Sequence, residues 1–273
     1  MDGMVPRMRF SVLASGSAAN STFLEAGDTR LLIDCGLSAR QVGLRLHGLG
    51  IDIKTVQGIL LTHEHSDHIA GLRVLSNRMR LPVYTTEETA AQVDGLFAVE
   101  HIHPGKNFSL GDLTIHPFRI PHDAVNPVGF AIEGGGFRFV QATDLGKVTP
   151  NVEFALRGAN ALVLESNHDL ELLRSCDYPW SLKQRIASAH GHLSNDAMAE
   201  ALGGCAHSEL SVVVLGHLSE NSNTPSHAIA AGTRALADHR SRGYTATLTS
   251  GSVYAATPLF CVEQMLEGMA VGE

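Results

Sequence analysis

The stretch "GILLTHEHSDHIAGL", residues 58–72, places three histidines and one aspartate within six positions. His63, His65, Asp67 and His68 follow an apolar run that is typical of a buried strand, and they precede residues with helical spacing. Imidazole and carboxylate are common ligands of divalent transition metals. A helix cap at Asp67 alone would not need three histidines, so the stretch predicts a metal site at the end of a strand.

The spacing of these four residues favours two ions rather than one. On a regular strand His63, His65 and Asp67 would share one face, and His68 would point elsewhere. If the chain turns after His65, the first two histidines hold one ion, and Asp67 and His68 face a neighbouring position. That division suits two ions about 3.5–4 Å apart. Four ligands do not complete two sites, so further ligands are expected.

Three more ligand-type residues stand at the ends of other predicted strands. His122 lies in "RIPHDA", Asp144 in "QATDLG" and His217 in "VVVLGHLS". Each follows an apolar or alternating strand and precedes turn residues, where side chains gather at one edge of a sheet. A lone histidine or aspartate there is usually a turn residue. As members of one set, these three are predicted to be metal ligands.

Composition limits the protein class. The 273 residues are 44% hydrophobic and carry a net charge of −8. That charge argues against a surface that coats nucleic acid generally, but it is compatible with a local basic groove or bound cations. The four cysteines form no CxxC pair, and residues 1–10 lack the features of a signal peptide, so we expect reduced thiols in a cytoplasmic protein. No apolar run reaches the roughly 18–20 residues that cross a bilayer.

The order of predicted elements indicates an α/β (α+β) fold. Strands cluster early in each half and helices are interleaved, without a linker or a low-complexity segment. We therefore predict one domain, residues 1–273, in which two packed sheets carry helices on their outer faces. A hairpin is predicted about Gly134–Gly136. The predicted helices span residues 38–50, 68–79, 87–97, 152–160, 170–189, 194–204 and 225–239.

Together these motifs resemble the metallo-β-lactamase superfamily, whose signature is HxHxDH followed by single ligands on separate strands. The resemblance implies a four-layered αβ/βα sandwich with a two-metal site at the sheet edges. It assigns one ion to His63, His65 and His122, the other to Asp67, His68 and His217, and the bridging position to Asp144.

Asp34, in "LLIDCG", resembles the first acidic position of that superfamily. The resemblance implies that it orients the HxHxDH loop rather than binding metal. The alternative is a turn-forming residue after a strand.

A hydroxide that bridges two ions is a nucleophile at neutral pH, and the ions can hold a phosphoryl or a carbonyl oxygen. The metals alone therefore do not select a substrate. Antibiotic hydrolysis is disfavoured, because many zinc β-lactamases of this fold place a cysteine ligand where this chain has Asp144. The stretches "ASGSAANST", "IPHDAVNPVGF", "DYPWSLKQRIASAHGHLSN" and "LGHLSENSN" resemble the YycJ/WalJ-type exonucleases, bacterial enzymes that degrade DNA from the 5′ end.

A small-residue loop, "SGSAANS" at residues 15–21, is a candidate phosphate site. Ser15, Ser17 and Asn20 could hold phosphate oxygens there, or they could form an ordinary turn with local hydrogen bonds. His192, in "GHLSN", precedes a helix N-terminus that favours an anion. The nuclease resemblance implies that it protonates the departing 3′ oxygen or steadies the phosphate; the alternative is a core or cap histidine.

Other polar residues lie at the remaining strand ends. Glu165 is predicted to orient His192, and Asn167 and His168 are predicted to reach the substrate, against ordinary turn polarity as the alternative. Asn221 is a similar candidate at the rim. In "SLKQRIA", Lys183 and Arg185 would add positive charge near a DNA backbone, although a solvated helix surface is the preferred interpretation.

The sequence thus predicts a binuclear phosphodiesterase, foremost a 5′-to-3′ DNA exonuclease, whose bridging hydroxide attacks phosphorus with the help of Asp67. The expected cofactors are two divalent ions, Zn or Mn, with Fe also acceptable. The expected partner is DNA as substrate. The alternatives are a phosphodiesterase for a small nucleotide or phosphate ester, a glyoxalase II-like thioesterase, and a metal-binding regulator without turnover.

Overall fold

Within residues 7–262, which the computed structural model describes, fourteen strands pair into two seven-stranded sheets. The first sheet begins with β1 (Met8–Ala14), β2 (Ser21–Ala26), β3 (Thr29–Ile33), β4 (Gly58–Leu60), β5 (Pro82–Thr85) and β6 (Ala98–His101). The second sheet is formed by β7 (Phe108–Leu110), β8 (Leu113–Arg119), β9 (Val128–Gly134), β10 (Phe137–Ala142), β11 (Ala161–Glu165), β12 (Val212–Gly216) and β13 (Thr247–Ser250). The last strand, β14 (Phe260–Val262), returns to pair with β1.

The helices connect these strands and cover the outer faces of the sheets. Those in the first half are α1 (Ala39–Gly48), α2 (Ser66–Ile69), α3 (Leu72–Met79) and α4 (Glu87–Ala90). Those in the second half are α5 (Pro150–Leu156), α6 (Leu170–Ser175), α7 (Trp180–Ile186), α8 (Asn195–Cys205), α9 (Pro225–Ala235) and α10 (Ala237–Ser241). No helix within the described residues combines the length and apolarity that a membrane crossing requires.

Both sheets are mixed, and this determines where the strand ends meet. In the first sheet β14, β1, β2 and β3 pair antiparallel, and β3 to β6 pair parallel. In the second sheet β7 to β10 pair antiparallel, and β10 to β13 pair parallel. The carboxyl ends of β10, β11 and β12 therefore lie side by side at one edge, which is where ligand sites form in open α/β sheets.

Three hydrophobic cores separate the four layers of the fold, which are helices, sheet, sheet and helices. The central core lies between the sheets, where the Phe10 and Phe139 rings are 5.0 Å apart. One outer core packs the first sheet against α1 and α3, and the other packs the second sheet against α5, α8 and α9. This is the predicted αβ/βα sandwich, and the α/β class is confirmed.

Most predicted elements form, and the exceptions have local causes. The β9–β10 hairpin turns at Gly135 and Gly136, whose φ angles of 59° and 81° suit glycine. The helix predicted over 68–79 is divided into α2 and α3. The Gly71 backbone N–H donates to the Cys35 carbonyl at 2.9 Å instead of to the carbonyl four residues earlier, which interrupts the helix, and a Cβ atom at Gly71 would lie 2.0 Å from the Leu37 carbonyl oxygen.

Other helix predictions were wrong in extent. The helix predicted over 87–97 is a single turn, α4, and the one predicted over 170–189 is divided into α6 and α7 by residues 176–179. Strands β6, β7 and β14 were not predicted. Residues 1–6, part of the segment that argued against a signal peptide, lie outside the described residues.

Candidate metal centre

The HxHxDH loop runs from the end of β4 into the first turn of α2. His63 and His68 are fully buried, and His65 and Asp67 line a cavity of about 320 Å³. The centroid of the His63 ring lies 4.6 Å from that of His65 and 4.1 Å from that of His68. The turn after His65 thus keeps all three imidazoles in one cluster, as a chain continuing straight could not.

The second sheet supplies the remaining predicted ligands from the ends of three strands. His122 follows β8, and its Nε2 atom lies 3.3 Å from Nδ1 of His65. Asp144 follows β10, and its Oδ2 atom lies 3.3 Å from Nε2 of His68. His217 follows β12, and its Nε2 atom lies 3.7 Å from Oδ2 of Asp67. The structure therefore brings all seven predicted ligands into one cluster.

The donor atoms in this cluster fit metal ions. Nε2 of His63, Nε2 of His217 and Oδ2 of Asp144 are buried without a hydrogen-bond partner. Leaving such an atom unpaired costs about 1–3 kcal/mol, so three in one place indicate a ligand. Four overlapping sets have donor atoms within 4.8 Å of one another: His63–His65–His122, His63–His68–Asp144, Asp67–His68–His217 and Asp144–Glu165–His192–His217. The cluster is able to bind metal.

Backbone strain marks the same strand ends. Asp34, Asp144 and His217 have φ angles of 60°, 60° and 55°, a left-handed conformation that is uncommon outside glycine. Among the described residues, Arg80 is the only other non-glycine residue in this conformation. Strain of this kind costs on the order of 1–3 kcal/mol per residue and clusters at functional sites. Here it accompanies the sharp turns that follow β3, β10 and β12.

Asp34 and Thr62 position the HxHxDH loop from behind. Oδ2 of Asp34 lies 2.9 Å from Nδ1 of His68, so that nitrogen carries the proton and Nε2 faces the cluster. The Thr62 backbone N–H and hydroxyl both donate to Asp34, and the hydroxyl lies 2.9 Å from Nδ1 of His63. Sequence reasoning missed Thr62, although its position directly before His63 was a usable signal.

Glu165 connects His192 with the ligand His217. Its Oε1 atom lies 2.8 Å from Nδ1 of His192 and 2.9 Å from Nδ1 of His217. Its Oε2 atom accepts the backbone N–H groups of Leu145 and Leu193. Burial raises the pKa of this carboxyl, but His192 and His217 outweigh burial and hold it at about 2. Because its oxygens are already used, Glu165 is a hydrogen-bond acceptor here rather than a metal ligand.

Burial and the neighbouring carboxylates determine which histidines of the cluster are protonated. Burial lowers the pKa of both His63 and His122, which keeps these imidazoles neutral. Burial also acts to lower the pKa of His217, but Asp144, Asp67 and Glu165 together raise it to about 10. The pKa of His68 is raised in the same way, by Asp34 and Asp144 against burial. In the metal-free protein His68 and His217 therefore hold protons that a metal must displace.

A sequence model of the β-lactamase superfamily domain matches residues 29–217, the segment that contains all seven predicted ligands. The chain belongs to the β-lactamase superfamily. Its cluster of metal-binding side chains and its superfamily relatives identify it as a metal-dependent hydrolase. The predicted family is confirmed.

Within the superfamily, the chain is similar to two named nucleases and to a solved structure. It is 38% identical over 224 residues to exodeoxyribonuclease YycJ of Bacillus anthracis, a match covering 79% of this chain and 84% of that protein. It is also 38% identical over 225 residues to exodeoxyribonuclease WalJ of Streptococcus pneumoniae, covering 79% and 83%. The metallo-β-lactamase fold protein YhfI of Bacillus subtilis has the same fold, with a TM-score of 0.70 at 17% identity over 92% of this chain and 99% of that one.

Within this superfamily member, the residues predicted to touch substrate fall into two groups. Ser17 and Asn167 line the cavity beside the ligands. Ser15 and Asn20 are buried behind them: the Ser15 hydroxyl accepts the His217 backbone N–H at 2.7 Å, and the Asn20 amide donates to Oδ2 of Asp67 at 2.9 Å. These two hydrogen bonds support ligand residues instead of facing the cavity.

His168 and Asn221 lie outside the set of residues that lines the cavity. His168 is buried, and burial lowers its pKa to about 4. Asn221 is exposed and donates from its side-chain amide to the Tyr178 hydroxyl at 2.7 Å. Tyr178 itself lines the cavity, so Asn221 reaches the rim through that ring.

One wall of the cavity was not predicted from sequence. It is formed by Tyr178 and by one face of α7, which presents Leu182, Arg185 and Ile186. Asp123, next to the ligand His122, also faces the cavity. The signal was present, because residues 182, 185 and 186 have the i, i+3, i+4 spacing of a single helix face.

Proposed function

We propose that this hydrolase is a DNA exonuclease that removes nucleotides from the 5′ end. The observation that carries the proposal is 38% identity, across most of the chain, to two exodeoxyribonucleases. Two features of the site support it. The Asp144 carboxylate lies 3.3 Å from both His68 and His217, and Glu165 holds His192 beside these residues. A superfamily domain match alone would leave the substrate open.

Two divalent ions would be held by the seven ligands. His63, His65 and His122 would hold one, Asp67, His68 and His217 the other, with Asp144 between them. The nitrogen and carboxylate donors suit Zn or Mn, and Fe is chemically acceptable. When bound, the ions would lower the pKa of water so that hydroxide forms at neutral pH, and would stabilise negative charge on a phosphate.

Asp67 would orient the attacking water. Burial raises the pKa of its carboxyl, but the neighbouring imidazoles of His217 and His68 lower it well below the usual range, so Asp67 is ionised. The Asn20 amide fixes its Oδ2 atom at 2.9 Å. An ionised carboxylate in a fixed position can accept a hydrogen bond from water and direct the oxygen toward phosphorus.

His192 would assist the leaving oxygen. Its Nδ1 atom is bonded to Glu165, so in the doubly protonated imidazolium Nε2 is the atom that can give a proton to the departing 3′ oxygen, which leaves a neutral imidazole. The ring lines the cavity, and its centroid lies 5.2 Å from that of His122 and 4.9 Å from that of His217. Ser17 and Asn167, which face the same cavity, would donate hydrogen bonds to phosphate oxygens.

A small phosphodiester is the second candidate substrate. The observation in its favour is that only one of the fifteen residues lining the cavity is a lysine or arginine, whereas three are aspartates. A long polyanion usually contacts several cations. Because DNA is the first candidate, we also propose a cytoplasmic location, where DNA is accessible.

End-labelled DNA distinguishes the candidates. The purified protein is incubated with Mn or Zn and with DNA labelled at the 5′ or the 3′ end, beside His65→Ala. The expected result is early release of labelled mononucleotide from the 5′ end by the unmodified protein only. Hydrolysis restricted to bis(p-nitrophenyl) phosphate or cyclic nucleotides would replace DNA by the small-substrate candidate.

A further inference from the structure

Helix α7 is unusual in the fold because none of its residues is buried. Its Leu182, Arg185 and Ile186 nevertheless line the cavity, and Arg185 is the only lysine or arginine among the fifteen lining residues. The structure thus presents one fixed-charge cation to a cavity that also contains Asp67, Asp123 and Asp144. Arg185 is on a solvated helix surface, as preferred from the sequence, and it also faces the cavity.

Asp123 holds Arg185 at the cavity. Nε and Nη2 of Arg185 lie 2.6 Å and 2.5 Å from the same oxygen, Oδ2 of Asp123. The other oxygen, Oδ1, lies 3.4 Å from Nε2 of the ligand His122. The Asp123 carboxylate therefore lies between the guanidinium and the metal-ligand side chains. Two of the five guanidinium N–H groups serve this pair, which leaves three for a ligand.

The backbone of α7 is fixed relative to His192. A Cβ atom at Gly191 would lie 2.2 Å from the Arg185 carbonyl oxygen and 2.3 Å from that of Ile186, so only glycine permits this contact. The His192 backbone N–H donates to the Ile186 carbonyl at 2.9 Å. Arg185 therefore has a defined position beside the proposed proton donor, although its own side chain is 64% exposed.

We propose that Arg185 binds the backbone phosphate next to the scissile one and so selects substrates with more than one phosphodiester. The inference rests on the proposed DNA exonuclease function and deepens it. The cluster of metal ligands would bind the scissile phosphate only. In a DNA strand the next backbone phosphate lies close to it. A guanidinium with free N–H groups, held one carboxylate away from the ligands, matches that second anion in charge and hydrogen-bond geometry.

Lys183 provides a matched control on the same helix. Its Nζ atom donates to the Arg174 carbonyl at 2.6 Å, and it does not line the cavity. Arg185→Gln and Lys183→Gln therefore remove the same charge from the same surface helix. Because α7 has no buried residue, neither substitution is expected to unfold the protein.

The experiment compares two substrates, single-stranded DNA and bis(p-nitrophenyl) phosphate, which has one phosphate. For Arg185→Gln we expect KM for DNA to rise by roughly tenfold or more and the salt dependence of KM to weaken by about one charge. Hydrolysis of bis(p-nitrophenyl) phosphate should fall by a much smaller factor than hydrolysis of DNA. Lys183→Gln should match the unmodified protein on both substrates, and Arg185→Lys should recover part of the affinity for DNA.

Three outcomes would overturn the inference, and they are distinguishable. If Arg185→Gln and Lys183→Gln give the same KM and salt dependence, Arg185 binds no phosphate, and the exonuclease proposal still stands. If Arg185→Gln also abolishes hydrolysis of bis(p-nitrophenyl) phosphate, its role concerns the metal cluster. If the unmodified protein hydrolyses that diester but not DNA, the proposed function and the inference both fail.

Discussion

The two walls of the cavity are built differently. The ligand wall consists of side chains at strand ends such as His122, Asp144 and His217, which line the cavity and are almost fully buried. The helix wall, Tyr178 and α7, has no buried α7 residue and contains the exposed Trp180 and Arg185. The candidate metal ligands are therefore held by the core of the fold, whereas Arg185, the residue that we propose to bind a second phosphate, lies on a surface helix.

The ligand wall should control every reaction of the enzyme. His65→Ala removes one ligand, and we expect hydrolysis of both DNA and bis(p-nitrophenyl) phosphate to fall roughly 1,000-fold or more, since a catalytic metal contributes several kcal/mol. Metal content, measured by mass spectrometry, should fall with it. His47→Ala, the same change at an exposed position of α1, should alter neither activity nor metal content.

His192 lies where the two walls meet, and its substitution separates proton transfer from metal binding. We expect His192→Gln to lower kcat on DNA by roughly 100-fold or more while bound metal is retained. The loss should be smaller for bis(p-nitrophenyl) phosphate, whose leaving group needs no proton. Equal losses on both substrates, or loss of metal, would show that His192 does not act as the proton donor.

Metal binding to the ligand wall should depend on pH. His217 has a pKa of about 10 in the metal-free protein and is protonated at neutral pH, so a metal must displace its proton. Metal affinity should therefore fall as pH falls from 8 to 6, by about tenfold per pH unit for each displaced proton. Glu165→Gln should make this slope shallower, because that carboxylate helps to raise the pKa of His217. An affinity that is constant with pH would contradict the charge state we assign.

The smallest effects are expected on the helix wall. Trp180 is 70% exposed, so Trp180→Ala should change the free energy of unfolding by no more than about 0.5 kcal/mol. Leu164→Ala in the fully buried part of β11 should cost about 2–5 kcal/mol. Urea denaturation measures both. A large loss of stability in Trp180→Ala would show that α7 belongs to the core.

The contrast between the walls also explains what the sequence could predict. The ligand positions could be predicted because metal-binding residue types follow apolar or alternating strands, as His217 follows "VVVLG". The parallel pairing of β10, β11 and β12 then brings these ends together. The sandwich followed from the same pattern of strands and interleaved helices.

Other features depend on tertiary contacts that no local pattern records. Ser15 and Asn20 lie in the predicted phosphate loop, but this loop folds inward onto His217 and Asp67, residues distant in sequence. The apolar face of α7 covers a cavity rather than the core, so hydrophobic spacing did not reveal its role. The break at Gly71 likewise depends on a tertiary contact, because its backbone N–H donates to the Cys35 carbonyl.

The central claim is that seven side chains from both sheets hold two ions. Anomalous diffraction from crystals grown with Mn or Zn tests it most directly. We expect two peaks about 3.5–4 Å apart, one beside His63, His65 and His122 and one beside Asp67, His68 and His217, with Asp144 between them. Fully loaded protein with no anomalous peak inside this cluster would contradict it.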